Sequence, residues 1–170
     1  MYKPDSLRKH LSGACPILKR NPEILHIFVD EGNVVAVGTN SFSHEYQYRL
    51  NIHIEDYAGP IEAITVPLLT WVIIHQIELL SNPDQRKTGI SFDVDFNNND
   101  TKDILIRLRL TEKSIVTQAQ NGKLNVKAQQ EPQPTPEYVD KFWELYKGDT
   151  LIAEWYTPKE KDGKRTAKAG

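Results

Sequence analysis

Between residues 42 and 55 the even positions carry Phe42, Tyr46, Tyr48, Leu50, Ile52 and Ile54, interrupted by His44 alone, while the odd positions carry Ser43, Glu45, Gln47, Arg49, Asn51, His53 and Glu55. Successive side chains of a β-strand point to opposite faces, so this alternation specifies a strand with one buried and one solvated face. A slip of one residue would turn every apolar side chain into water. At ~3.3 Å per residue the strand is roughly 40 Å long, about twice the usual length. A strand this long can outrun its own domain and pair or pack against a neighbour. Glu45, Gln47, Arg49 and Asn51, on its polar face, are therefore candidate subunit-interface residues.

The same period recurs. Ile90, Phe92, Val94 and Phe96 alternate with Ser91, Asp93 and Asp95, and after the turn chemistry of residues 97–100 a strand resumes with Ile104, Ile106, Leu108 and Leu110. Asn121-Gly122, between Ser114–Ala119 and Leu124–Ala128, is a strong hairpin signal. Glu31-Gly32-Asn33 reads as a second tight turn, joining a strand over Ile24–Asp30 to one over Val34–Thr39.

Two segments have helical spacing. Pro4-Asp5-Ser6 opens a short N-terminal helix carrying Leu7 and Leu11, closed by Gly13 and Pro16. Ile61–Leu80 reads as the main helix, apolar on more than one side, with Pro67 near its first turn or at a kink. Together these predict an α+β fold: a mostly antiparallel sheet, one long covering helix and a short N-terminal helix.

The texture changes after residue 128, where the α+β core domain (1–128) ends. Residues 129–137 form a polar, proline-rich linker, stiff and extended. Residues 138–156 concentrate Tyr138, Phe142, Trp143, Tyr146, Trp155 and Tyr156, split by Lys147-Gly148-Asp149. They read as a C-terminal β-hairpin arm, with a helix over 138–146 as the second choice. Aromatic clusters anchor interfaces, so Tyr138, Phe142, Trp143, Tyr146 and Trp155 join the candidate contact set. A hairpin folded back on its own domain is the competing account. Residues 157–170 read as a disordered, charged tail.

Catalytic chemistry is poorly supported. Histidines 10, 26, 44, 53 and 75 show no helical metal-ligand spacing, Cys15 stands alone, and the glycines are spread singly with no phosphate loop. Asp93, Asp95 and Asp103 are the residues from which a small metal-dependent hydrolase would have to be built. Solvent-facing strand residues beside an Asn/Asp turn are the simpler account. With 39% hydrophobic and 26% charged residues and a net charge of −2, neither disorder nor binding to nucleic acid or an anionic membrane is favoured. The longest apolar run, Val66–Ile77, is too short to span a bilayer, and Met1–Asp5 has no apolar leader.

A collinear set of short segments carries a family likeness. Lys3-Pro4-Asp5-Ser6-Leu7-Arg8 is followed by Leu18-Lys19-Arg20-Asn21-Pro22, then Ile27–Gly32, Phe42–Tyr46 and Tyr48–Asn51. Val66–Trp71, Asp93–Asn98, Leu110–Lys113 and Glu144-Leu145-Tyr146 leading to Gly148 and Trp155 complete it. In this succession the chain resembles the tail completion protein R (GpR) family of contractile-tailed temperate phages, over roughly residues 1–156.

The resemblance implies a non-enzymatic virion-assembly subunit with a tail-terminator-like fold and no cofactor. Its expected location is the phage tail, assembled in the host cytoplasm without a signal peptide. Its expected partners are its own copies in a hexameric ring, the tail tube protein, the tail sheath protein and a neck or head-completion protein. A neck or baseplate subunit is the alternative within the same class.

Overall fold

The computed structural model describes residues 1–36, 38, 41–97, 100–129, 131 and 140–158. The alternating segment forms β2 (His44–Tyr57), two residues later at each end than the pattern suggested. It runs between β1 (Leu25–Ala36) and β4 (Lys102–Gln118), antiparallel to both. Beyond β4 lie β3 (Ile90–Phe96) and β5 (Leu124–Ala128), on the same edge of that long strand, giving the order β1-β2-β4-β3 with β5 also on β4. Both edges of β2 are thus occupied from His44 to Ile54. Against expectation, it has no free edge to offer a neighbour; only its polar face is open.

One of the anticipated turns is absent. Glu31-Gly32-Asn33 does not reverse the chain, because both halves of β1 pair with β2 and the register merely shifts between Asp30 and Asn33. Glu31 takes φ 48° there. A bulge uses the same left-handed conformation as a tight turn, which is why the sequence signal misleads. Val34–Ala36, read from sequence as the start of a second strand, continue β1, and Val37 and Thr39 lie outside the described residues. Likewise, the segments around Ile104 and Ser114 are one continuous strand, β4.

The even residues of β2 meet Ile104, Ile106, Leu108 and Leu110 of β4 across the buried face. Helix α1 (Lys3–Ala14) covers that face with Leu7, Leu11 and Ala14, and α2 (Pro16–Arg20) adds Leu18. Pro4 sits in the first turn of α1, where its missing N–H costs nothing. The second cover is α3 (Glu62–His75), with Ile64, Leu68, Trp71 and Val72 in the core.

The anticipated single helix to Leu80 stops early. Gln76 leaves the helical region (φ −159°, ψ 56°), and two short helices follow, α4 (Glu78–Ser81) and α5 (Pro83–Arg86). Pro67 lies inside α3 rather than at its start. Its carbonyl accepts from Thr70 Oγ1 at 2.7 Å and from His10 Nε2 at 2.9 Å, which binds α3 to α1 at the point where proline weakens the helix.

The break at Gln76 has a physical cause in the sheet. Pairing of β4 with β3 ends at Leu108 and pairing with β5 begins at Ser114, leaving the backbone of Thr111 without a strand partner on that edge. Gln76 Oε1 accepts the Thr111 N–H at 3.1 Å, and Lys3 Nζ donates to the Thr111 carbonyl at 2.7 Å and to Gln76 Oε1 at 2.8 Å. Beside them the buried Glu112 carboxylate accepts the first amides of α1, Tyr2 N at 2.7 Å and Lys3 N at 3.4 Å, and the Tyr48 hydroxyl. The helix has no cap from its own N-cap side chain. A carboxylate from the sheet serves instead, meeting the orphan donors and the positive end of the helix dipole.

Gly89 shows how tightly the α5–β3 corner is closed. A Cβ there would lie 2.6 Å from Leu79 Cδ2 and 2.8 Å from the Gln85 carbonyl oxygen. Backbone cannot yield as a side-chain tip can, so Gly89→Ala is expected to lower stability by about 1–3 kcal/mol in urea denaturation. An unchanged midpoint would show that the corner relaxes freely.

Strands β6 (Phe142–Lys147) and β7 (Thr150–Tyr156) form the C-terminal hairpin, turning at Gly148 with φ 60°. The helix alternative over 138–146 is thereby excluded for the described part. Ala153 and Trp155 of β7 are buried in the same core cluster as the helices, and β7 packs on α1 and α3. The layers therefore run sheet, helices, hairpin.

Candidate assembly surfaces

The open face of the sheet gathers the odd residues of β2. Register places Glu45 opposite Lys113, Gln47 opposite Thr111, Arg49 opposite Arg109 and Asn51 opposite Arg107. Arg49 reaches across the β1 bulge, with Nε 2.8 Å from Asp30 Oδ1 and an Nη 2.8 Å from Glu31 Oε1. Those hydrogen bonds hold the Asp30 carboxyl below the usual range and raise the Arg49 guanidinium further. Glu45 accepts from Gln47 Nε2 at 2.7 Å and pairs with Lys113 at 3.7 Å. Three of the four candidates thus remain accessible, whereas Asn51 is 2% exposed. A partner could meet Asn51 only after displacing its neighbours.

The hairpin divides its aromatics between two faces. Trp143 and Trp155 are cross-strand partners, as are Phe142 and Tyr156. Trp155 faces the helices and is buried; Trp143 is half-buried, donating Nε1–H to Thr157 Oγ1 at 2.9 Å beneath the Lys141 ammonium. Phe142 and Tyr156 face outward with ring centroids 4.8 Å apart, and Tyr146 is 52% exposed. Phe142, Tyr146 and Tyr156 are therefore available to a partner, and Trp155 serves the chain's own core. Tyr138, most of the linker and residues 159–170 lie outside the described residues. Thr157, placed by sequence in the charged tail, is buried and donates its N–H to Lys141 O at 2.8 Å.

Register sets Asp95 opposite Asp103, with Asp93 on the same face. Their oxygens are already engaged in part. Asp93 pairs with Arg107, and Asp103 Oδ1 accepts from the Asp56 backbone N–H and Asn97 Nδ2, both at 2.8 Å. That backbone hydrogen bond holds the Asp103 carboxyl low. Among the described residues no group of three or more His, Cys, Asp or Glu side chains is arranged to hold a metal ion, and no described helix is long and apolar enough to cross a membrane.

Sequence reasoning missed other exposed apolar positions. Phe92 and Phe96 point to the covered side of the sheet, but from its edge strand, and are 63% and 74% exposed. Val34, Leu124 and Val126 lie on the same side at the far end of β1 and β5 and are also exposed. Period two marks which side of the sheet a residue takes, but carries no signal of how far the helices extend over it.

Residues 1–134 match the family model described as P2 phage tail completion protein R (GpR). The chain belongs to the GpR family. It is 39% identical over 155 residues to the tail completion protein R of Escherichia phage P2, an alignment covering 91% of this chain and 99% of that relative. No solved structure matches it. GpR proteins are structural, non-enzymatic components of tail assembly. The aspartates above are accordingly surface residues of a GpR sheet rather than a hydrolase centre.

Proposed function

We propose that this GpR-family chain forms a ring at the head-proximal end of a contractile phage tail, capping the tube and the sheath and preparing the junction with the head. The observation that carries the reading is membership of a tail-completion family together with two uncovered faces, one on the sheet and one on the hairpin. A ring subunit needs two distinct surfaces, because a head-to-tail contact joins different patches of successive copies and closes only when the rotation does. Tail tube, tail sheath and a neck protein are the partners this position requires, and the completed virion tail is where the ring resides.

Electron micrographs of particles made without the protein test the position. Tubes of unregulated length are expected, because nothing halts their growth. Headless tails of normal length would instead assign the protein to joining at the neck, and tails failing before tube growth would assign it to the baseplate.

A further inference from the structure

The C-terminal hairpin is closed on itself and only lightly attached. Thr157 N–H donates to Lys141 O at 2.8 Å and Trp143 Nε1–H to Thr157 Oγ1 at 2.9 Å, which ties off the base of the β6–β7 pair. Those strands form a separate sheet, and among the described residues no backbone hydrogen bond joins them to the core domain. Side chains make the attachment. Ala153 and Trp155 are buried in the core cluster where β7 meets α1 and α3, and Lys147 Nζ lies 3.4 Å from Glu62 Oε1 at the start of α3. The fit is incomplete. Buried Trp155 Nε1 has no hydrogen-bond partner among the described residues, and a crevice of about 330 Å³ remains between Phe142, Trp155 and the second half of α1. A two-stranded hairpin is marginal by itself, so it needs a core domain to dock on.

The connection between the two units is poorly matched to this seat. Glu131 is tied to the start of α1, its Oε1 3.0 Å from Lys3 Nζ, while Phe142 lines the crevice beside Gly13 and Ala14 at the other end of the same helix. At ~1.5 Å per residue, Lys3 and Ala14 are ~16 Å apart along the helix axis. The sequence between Glu131 and Phe142 carries Pro132, Pro134 and Pro136. A proline-rich chain is stiff and advances ~3.1 Å per residue, so this stretch reaches ~34 Å. It is about twice as long as the gap it has to close and must buckle to return its hairpin. A compact domain of this size is ~35 Å across, so the equivalent seat on a touching copy is about one such length away.

We propose that in the assembled ring the hairpin leaves its own core domain and seats on α1 and α3 of the next copy, so that Lys147 of one chain pairs with Glu62 of its neighbour. This rests on the ring reading above and names the contact that joins successive copies. Seat and occupant are already matched within one chain, so exchange keeps every contact of the hairpin and relieves only the linker. No other protein is needed to supply Ala153, Trp155 and Lys147, which is why the occupant is a second copy. The contact is also head-to-tail, since each copy gives one hairpin and receives one, and such contacts close into a ring when the rotation does.

Isotope mixing in the full-length chain tests the exchange. Equal amounts of unlabelled and nitrogen-15-labelled protein are unfolded together in urea, refolded, and treated with a carbodiimide, which condenses a carboxylate with an amine in contact with it. Mass spectrometry of the peptides linked through Glu62 and Lys147 then shows whose hairpin is seated where. In oligomers separated by sedimentation, half of these pairs are expected to join a light chain to a heavy one. Lys147→Arg keeps the charge but offers no amine, so it should lose the linked peptide and still assemble. Deleting Pro132–Pro136 leaves ~19 Å of linker, enough for the chain's own seat and too short for a neighbour's. That variant is expected to melt like the wild type and to self-associate at least ~100-fold more weakly. Oligomers whose linked pairs all carry one label, or that lack the Glu62–Lys147 link, overturn the exchange and leave the ring standing. So does a shortened chain that assembles like the wild type. A wild-type chain that stays monomeric at ~1 mM, where even weak contacts are populated, overturns the ring reading and the exchange with it.

Discussion

Replacing Glu112 with alanine is expected to cost about 3–5 kcal/mol of stability, much of what a domain of this size possesses. The carboxylate is 4% exposed and accepts from the Tyr2 and Lys3 amides and from the Tyr48 hydroxyl. Alanine would leave all three donors without this acceptor, the Lys3 amide and the Tyr48 hydroxyl in buried positions, and each buried unsatisfied group costs about 1–3 kcal/mol. It would also uncap α1, the helix that lies across the sheet. Urea denaturation of Glu112→Ala, Tyr48→Phe and the double variant gives the coupling directly, expected at about 1–3 kcal/mol. Tyr48 should behave as a permanent hydrogen-bond donor, since burial and the adjacent Glu112 push its ionisation far above the ordinary range. A loss below about 0.5 kcal/mol for Glu112→Ala, the range of ordinary surface changes, would show that the node is decorative.

Acidification should unfold the chain earlier than its carboxylates alone would require. Burial lowers His10 to about 4, outweighing its hydrogen bond to Pro67 O. Burial, with the charges of Lys3 and His10 adding to it, lowers His75 to about 3. Both values lie below the ordinary 6.5, so the folded chain keeps these rings neutral while the unfolded chain protonates them. Their contribution is complete above pH 6.5 and is lost as pH falls through 6.5 toward the folded values. The expected slope is about 1.4 kcal/mol per pH unit for each histidine, additive between roughly pH 6 and pH 4.5. Asp30, Asp103 and Glu62, whose carboxyls are held low, act only below that window. Stability measured from pH 7.5 to 4.5 should therefore fall steeply, and His10→Gln, which keeps a donor for Pro67 O, should remove about half the slope. A flat profile across that range would show that both rings reach water in the folded state.

Much of the architecture is local and therefore legible in the residues. The alternation in β2, β3 and the Ile104–Leu110 part of β4 fixes which side of the sheet each side chain takes, because period two admits one register against a buried face. Asn121-Gly122 and Lys147-Gly148-Asp149 place their turns, since glycine takes the positive φ found at Gly122 and Gly148 cheaply. Where local chemistry serves two geometries, the reading fails. Glu31-Gly32 makes a bulge as readily as a turn, and only pairing of both flanks with β2 distinguishes them.

The sequence by itself determined the sheet, its polar and apolar faces, the two main helices and the family. Tertiary structure alone decided where the main helix stops, what caps the first one and which aromatics of the hairpin stay in water. The physical reason is distance along the chain. Gln76 breaks the helix to satisfy Thr111, and Glu112 caps amides at residues 2 and 3. Such partners leave no periodic trace, because each is one side chain whose hydrogen bonds exist only once sheet and helices have come together.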